Sequence, residues 1–164
     1  MGSHFSIGVI PHQLKPLTRL KLPELQGCFA HWVKFALEEF DNPGLLMTYD
    51  EFLDVFDIDH EISHELFMYF EREEAGERMA TASEIFGGLM LACAAEPAQK
   101  VKFIFDMFDR NFDRQLNQTE LLLAMTTSCR GLARLKRVAP PGPDILMDLA
   151  ECAFNHEEVV ITER

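Results

Sequence analysis

The sequence FDRNFDRQLNQTELL, from Phe108 to Leu122, carries the most specific pattern in this chain. Apolar residues with helical spacing enclose a polar segment in which oxygen-bearing side chains occupy alternate positions. Counted from Asp109, positions 1, 3, 5, 9 and 12 hold Asp109, Asn111, Asp113, Asn117 and Glu120. Position 7 is Gln115, which would contribute its backbone carbonyl. The alternation predicts a loop whose oxygen atoms converge on one centre.

Calcium fits this spacing because Ca²⁺ takes about six to eight hard oxygen ligands, which a 12-residue loop ending in a bidentate Glu can supply. Mg²⁺ is the ion that we expect to compete for the same oxygens. Position 6 departs from the pattern, since the sharp turn there favours Gly and this chain has Arg114. A side chain at positive φ costs about 1 kcal/mol, and the guanidinium adds a cation near the site. We therefore expect Arg114 to weaken calcium binding.

Two other stretches share the frame of this loop, so the chain contains an internal repeat. FDNPGLLMTYDEF begins at Phe40 and FEREEAGERMATASEIF at Phe70, and each runs from Phe and an acid to a Glu followed by an apolar residue. The glutamates of the three copies are spaced by 33 and 36 residues and are Glu51, Glu84 and Glu120. Apolar residues recur at helical spacing around the copies and strand patterns are scarce, which predicts helix–loop–helix units in a mostly α-helical chain.

The first two copies have lost the ligand pattern. The first loop is one residue short from Asp41, and Pro43 and Leu45 stand where oxygen ligands belong. In the second, counting forward from Glu71 and back from Glu84 gives registers that differ by two residues. We expect both loops to be structural. A fourth entering helix is predicted at ILMDLAECAF, followed by the loop-like sequence EEVVITER.

On these motifs the chain resembles the EF-hand superfamily, and its layout is similar to neuronal calcium sensors and calcineurin-B-like proteins. The resemblance covers residues 23–164, and the segment AEPAQKVKFIFDMFD is similar to the entry into the third hand. It implies an all-α fold of paired EF-hand helix-loop-helix units in two lobes, with short strands between paired loops. Residues 1–22 would form an N-terminal arm, 23–94 a degenerate pair of hands, and 95–164 a pair with an intact third loop and an incomplete fourth. The strands would set Leu46 and Met47 beside Met79 and Ala80, and Leu116 beside Val160 and Ile161.

The resemblance also implies a calcium sensor or adaptor that binds other proteins. Filling a loop reorients its two helices and exposes an apolar groove, which takes the amphipathic helix of a target. Seven internal methionines and 14 phenylalanines supply apolar material, and the net charge of −12 favours a basic target segment. A kinase, phosphatase, channel or motor segment would qualify. The main alternative is a calcium-independent structural adaptor, like a light chain.

A second metal motif, HExxH, is spelled by residues His60 to His64. On a zinc-hydrolase helix the two histidines bind Zn²⁺ and Glu61 activates water. Glu84, 20 residues beyond His64, could serve as the third ligand, but it already belongs to the repeat. We therefore interpret the motif as exposed polar residues at the start of a helix, keep the zinc hydrolase as a remote alternative, and expect no enzyme.

The N-terminal sequence MGSHFS matches the pattern for N-myristoylation at Gly2, although MGSH is also a common cloning scar. Basic residues nearby could supply the second membrane signal that one acyl chain needs: His12, Lys15, Arg19 and Lys21. We expect a cytoplasmic protein that associates with membranes through this acylated arm.

The composition narrows the partners further. The chain has 164 residues, with 15 basic and 27 acidic side chains, and this acidity argues against nucleic-acid binding. Its four cysteines form no CxxC pair, which favours a reduced intracellular compartment. A second basic cluster interrupts the acidic sequence at Arg130, Arg134, Lys136 and Arg137. Such a cluster is either a solvated face or a binding surface.

Overall fold

The computed structural model describes residues 10–38, 46–74, 76–109, 111–155 and 161–162. A short 3-10 helix, His12–Leu14, precedes the α-helices, which are α1 (Lys15–Thr18), α2 (Leu22–Glu38), α3 (Tyr49–Phe56), α4 (His60–Met68), α5 (Ala82–Ala92), α6 (Pro97–Phe108), α7 (Gln118–Lys136) and α8 (Pro143–Asn155). The strands are β1 (Leu46–Thr48), β2 (Glu71–Glu74), β3 (Glu77–Thr81), β4 (Gln115–Leu116) and β5 (Ile161–Thr162). The predicted predominance of helix is therefore confirmed.

The glutamates of the repeat share one helical position. Glu51 and Glu120 are each the third residue of a helix, α3 and α7, and each forms a capping box with the residue before the helix. Thr48 and Asn117 accept a hydrogen bond from the glutamate's N–H, and the carboxylate accepts one from their own N–H. Glu84 is likewise the third residue of α5. The repeat thus marks where three helices begin.

The strands join the loops in pairs. β1 pairs antiparallel with β3, and β4 with β5. Met47 lies opposite Ala80, but Leu46 lies opposite Thr81, so the register differs by one residue from the predicted pairing of Leu46 and Met47 with Met79 and Ala80. Leu116 lies opposite Ile161, while Val160 falls outside the described residues.

The second loop, which the sequence predicts to be structural, is a β-hairpin. β2 pairs with β3 from Glu71 opposite Ala80 to Glu74 opposite Glu77, and Gly76 turns the chain with a φ of 83°. The sequence EREEAGER is charged and lacks β-branched residues, so its composition does not predict a strand. The strand forms because β3 is already held by β1 on one edge and offers its other edge to β2.

The main core runs through most of the described chain. Its largest fully buried side chains are mostly aromatic and aliphatic, among them Phe52, Phe67, Phe70, Phe86, Leu66, Ile85 and Leu89. Leu14 and Leu17, from the predicted N-terminal arm, are also fully buried there. A smaller cluster beside the third loop contains Phe105, Phe108, Leu116 and Ala124. The second half of the arm is therefore part of the packed structure.

Helices α5 and α7 cross in main-chain contact. A Cβ atom added to Gly131 would lie 1.8 Å from the carbonyl oxygen of Glu84, and one added to Gly88 would lie 2.5 Å from the carbonyl carbon of Gly131. Only glycine permits this approach, because any larger residue would overlap the facing backbone. The crossing joins α5 to α7 across the predicted division at residues 94 and 95.

Candidate metal centre

The third loop lies between α6 and α7, and its backbone folds back on its first residue. Arg114, at position 6, takes a φ of 62°, the left-handed conformation that the loop pattern requires there. Its N–H donates a hydrogen bond to Asp109 Oδ2 at 3.0 Å. This bond closes the first half of the loop around the carboxylate at position 1.

Short hydrogen bonds connect the next ligand positions. Asp113 N donates to Asn111 Oδ1 at 3.1 Å, and Gln115 N donates to Asp113 Oδ1 at 2.7 Å. The amide of Asn111 also donates to Asp113 Oδ2 at 2.7 Å. Side chains at positions 3 and 5 are therefore oriented by the loop itself, in the turn geometry that Asn and Asp favour.

The most informative atom of the site is Asp109 Oδ1. Asp109 is only 7% exposed, and its Oδ1 is buried with no hydrogen-bond partner among the residues that the structure describes. A buried carboxylate oxygen without a partner is unfavourable, since it has lost water and gained nothing in return. A hard cation in the loop would supply that partner. The donor set of two Asp, two Asn, one Glu and one main-chain carbonyl suits Ca²⁺ because all of its donor atoms are oxygens.

The side chains at the last two ligand positions, 9 and 12, hydrogen-bond to each other's main chain. Asn117 Oδ1 accepts a hydrogen bond from Glu120 N at 3.0 Å, and Glu120 Oε2 accepts one from Asn117 N at 3.0 Å. Within the described residues, no three His, Cys, Asp or Glu side chains approach closely enough to hold a metal ion. Hydrogen bonds therefore join position 1 to position 6, position 3 to position 5 and position 5 to position 7. Glu120 would have to turn inwards to complete a calcium shell.

The second loop directs its glutamate to a different cation. Glu84, whose side chain is 7% exposed, lies 3.0 Å from Nε of Arg134 on α7. Arg134 also donates a hydrogen bond from Nη1 to the carbonyl of Tyr69 at 3.3 Å. The carboxylate at position 12 of the second copy, Glu84, is thus in an ion pair with a guanidinium. Sequence reasoning missed this pair because its members are far apart in the chain. For the first loop, Asp41, Pro43 and Leu45 lie outside the described residues.

The HExxH residues lie at the start of a helix and are exposed, as the sequence predicts. α4 begins at His60, and His60, Glu61 and His64 are exposed. The ring of Tyr49 packs edge-on against both imidazoles, and His64 Nε2 lies 3.3 Å from the guanidinium of Arg78. Glu84, the suggested third zinc ligand, is paired with Arg134 instead.

An apolar groove adjoins the third loop. Its volume is about 260 Å³, and it lies between the facing sides of α6 and α7. The residues that line it are Leu91, Val101, Ile104, Phe105, Leu116, Leu121, Ala124, Met125, Ser128 and Cys129. Leu116 belongs to both the loop and the groove. Burial raises the pKa of the thiol of Cys129, which also lines the groove. Met125 is the methionine that lines this groove, whereas Met47 and Met90 are fully buried in the main core.

The predicted acylation site, Gly2, lies outside the described residues. Among the helices that the structure describes, none is long and apolar enough to cross a membrane. Comparison of this chain with protein-family models, with curated proteins and with solved structures finds no match in any of the three.

Proposed function

We propose that this protein is a calcium-responsive adaptor of the EF-hand type, with one Ca²⁺ site in the third loop and an apolar groove for the amphipathic helix of a target protein. The observation that carries the proposal is the state of Asp109. One of its oxygens accepts a hydrogen bond from Arg114 N, and the other is buried with no hydrogen-bond partner in the described part of the chain. A bound calcium ion would complete this arrangement.

The pairing of the loops supports the same proposal. In the proposed architecture the first loop pairs with the second and the third with the fourth, through short strands. Met47 opposite Ala80 and Leu116 opposite Ile161 are contacts of this kind. The pairing would make each lobe a unit of two hands, of which only the third retains its ligands.

The site and the groove share two helices, which gives calcium a route to the target. Asp109 directly follows α6, and Glu120 is the third residue of α7. Drawing Glu120 towards Asp109 would change the angle between these helices, whose facing sides form the groove. An acidic protein favours a target helix with a basic polar face and an apolar face for the groove. A segment of a kinase, phosphatase, channel or motor fits this description.

Calorimetric titration of the chelator-stripped protein with Ca²⁺, repeated with Mg²⁺ present, tests the proposal. We expect one calcium site in the wild type and no measurable site in Glu120→Gln, because the bidentate carboxylate is lost. Asp106→Asn is the matched control: Asp106 is exposed, lies three residues before Asp109 and pairs with Lys102. Loss of binding in both variants, or unchanged affinity in Glu120→Gln, would contradict the assignment.

The calcium-independent adaptor is the second candidate, and the Glu84–Arg134 pair favours it. In that pair a guanidinium binds the position-12 carboxylate of the second loop, and Arg114 adds a cation to the third. On this view the groove accepts its helix at any calcium concentration. Absence of calorimetric heat, together with a melting temperature that Ca²⁺ does not change, would support it.

A further inference from the structure

A polar cavity lies beside the C-terminal half of α7, separate from the calcium loop. Its volume is about 310 Å³, and β2, α5, α7 and the connector after α7 all contribute to it. The residues that line it are Arg72, Glu84, Arg130, Ala133, Arg134, Val138 and Pro140. Two of the arginines belong to the basic cluster of the sequence, which the proposed calcium function does not use.

The described residues around this cavity are mostly basic, in contrast to the acidic protein. Among the described residues that line it, three carry guanidinium groups and one carries a carboxylate, although the chain as a whole has a net charge of −12. The carboxylate among these described residues, that of Glu84, lies 3.0 Å from Arg134 Nε. Arg130 is exposed and makes no hydrogen bond or ion pair within the described part of the chain. Arg72 has an interaction of its own, so the positive charge that the described residues leave without a partner is that of Arg130, beside the guanidinium of Arg134.

Contacts around Arg134 hold its guanidinium in place before any ligand arrives. Nε contacts Glu84, and Nη1 donates to the carbonyl of Tyr69. The apolar side chains of Ala133, Val138 and Pro140 form part of the wall. Such a wall excludes water from one side, which strengthens the attraction between a guanidinium and an anion. A fixed arginine also loses less conformational entropy on binding.

We propose that this cavity is a binding site for a phosphomonoester anion. Guanidinium groups present planar pairs of N–H donors that match phosphate oxygens, and a phosphomonoester carries more charge and more acceptor oxygens than a carboxylate. The ligand is either a small free phosphate or the phosphorylated headgroup of a membrane lipid, since both present the same group. The site does not depend on calcium, so it stands apart from the proposed function.

Thermal unfolding with inorganic phosphate, in the presence of a calcium chelator and at constant ionic strength with chloride as the balancing anion, tests binding directly. We expect phosphate to raise the melting temperature of the wild type, and Arg130→Gln to weaken the apparent affinity by about tenfold or more. Arg130→Lys keeps the charge but loses the planar pair of donors, so its affinity should fall in between. Lys102→Gln is the control, because it removes one positive charge from α6, outside the cavity.

Co-sedimentation identifies the source of the phosphate. Phosphatidylcholine vesicles with and without phosphatidylinositol 4-phosphate are compared, again without calcium. Binding to the phosphorylated vesicles that Arg130→Gln removes and Lys102→Gln retains would assign a lipid headgroup. Stabilisation by inorganic phosphate without vesicle binding would assign a free phosphate. Equal responses of the wild type and Arg130→Gln in both assays, or no response in either, would overturn the site.

Discussion

Replacing Gly131 by Ala should destabilise the protein by forcing α5 and α7 apart. The new Cβ atom would lie 1.8 Å from the Glu84 carbonyl oxygen and 2.9 Å from the Gly88 nitrogen, whereas ordinary contact begins at 3.4 Å. Both obstructing atoms belong to the main chain of α5, so neither can rotate away. The helices must therefore separate by roughly the difference between the 1.8 Å contact and the 3.4 Å at which ordinary contact begins.

The size of the effect follows from two opposing contributions. Overpacking a core costs about 1–3 kcal/mol, and a clash with main-chain atoms puts this substitution near the upper end of that range. Ala is favoured over Gly inside a helix by about 1 kcal/mol, which offsets part of the loss. The free energy of unfolding should fall by about 2 kcal/mol, which corresponds to about 4–8 °C in Tm for a chain of this size. Separation of the helices would also stretch the contact between Glu84 and Arg134.

The same substitution at Gly27 provides a matched control. Gly27 lies in α2, and no atom stands within 4 Å of where its Cβ would be. Gly27→Ala should raise the free energy of unfolding by about 0.5–1 kcal/mol through helix propensity alone. Urea unfolding, followed by the fluorescence of the single tryptophan, Trp32, measures both variants. A midpoint for Gly131→Ala at or above that of the wild type would refute the main-chain contact between α5 and α7.

Three further predictions concern the first repeat and the groove. Thr48→Ala removes the side-chain cap of α3 and should lower stability by about 1 kcal/mol in urea unfolding, while Thr119→Ala, at an exposed helical position, should change it little. A midpoint for Thr48→Ala equal to that of Thr119→Ala would contradict the role of the cap. Burial raises the pKa of Cys129, so at neutral pH its thiol should react with a disulfide reagent more slowly than that of the exposed Cys152, and the difference should narrow as the pH rises. A basic amphipathic peptide should slow the reaction of Cys129 with the reagent further and leave that of Cys152 unchanged, as measured by mass spectrometry of labelled fragments of the protein. Equal protection of both thiols would exclude the groove as the binding site of the peptide.

Helix α7 connects the features on which these proposals depend. Glu120 lies in its first turn, Ala124, Met125 and Cys129 line the apolar groove, and Arg134 lies in its last turn. Between the groove and Arg134, Gly131 holds the helix against α5. A movement of the first turn of α7 is therefore opposed by a close helix crossing near its other end. Any response to calcium must be accommodated by α6 or by the part of α7 that precedes Gly131.

Local sequence was sufficient for the features whose partners are close in the chain. A pattern of a few residues predicts that helices begin close to Glu51, Glu84 and Glu120, each of which is the third residue of its helix. Two of these helix starts carry capping boxes between residues three positions apart. The left-handed turn at Arg114 follows from its position in the loop, because the backbone must reverse there whatever the side chain. These features depend on hydrogen bonds within one turn or loop, which a short sequence encodes directly.

The tertiary structure alone decided the features whose partners are distant. Strand β2 forms because β3 offers it an edge, although its own sequence does not favour a strand. Glu84 meets Arg134, and Gly131 meets the backbone of α5, only because α5 and α7 cross. The three arginines share a cavity for the same reason, since β2 and α7 come together around Glu84. Sequence spacing carries information about neighbours within one turn or loop, whereas contacts between elements depend on how the buried faces of all the helices and strands pack together.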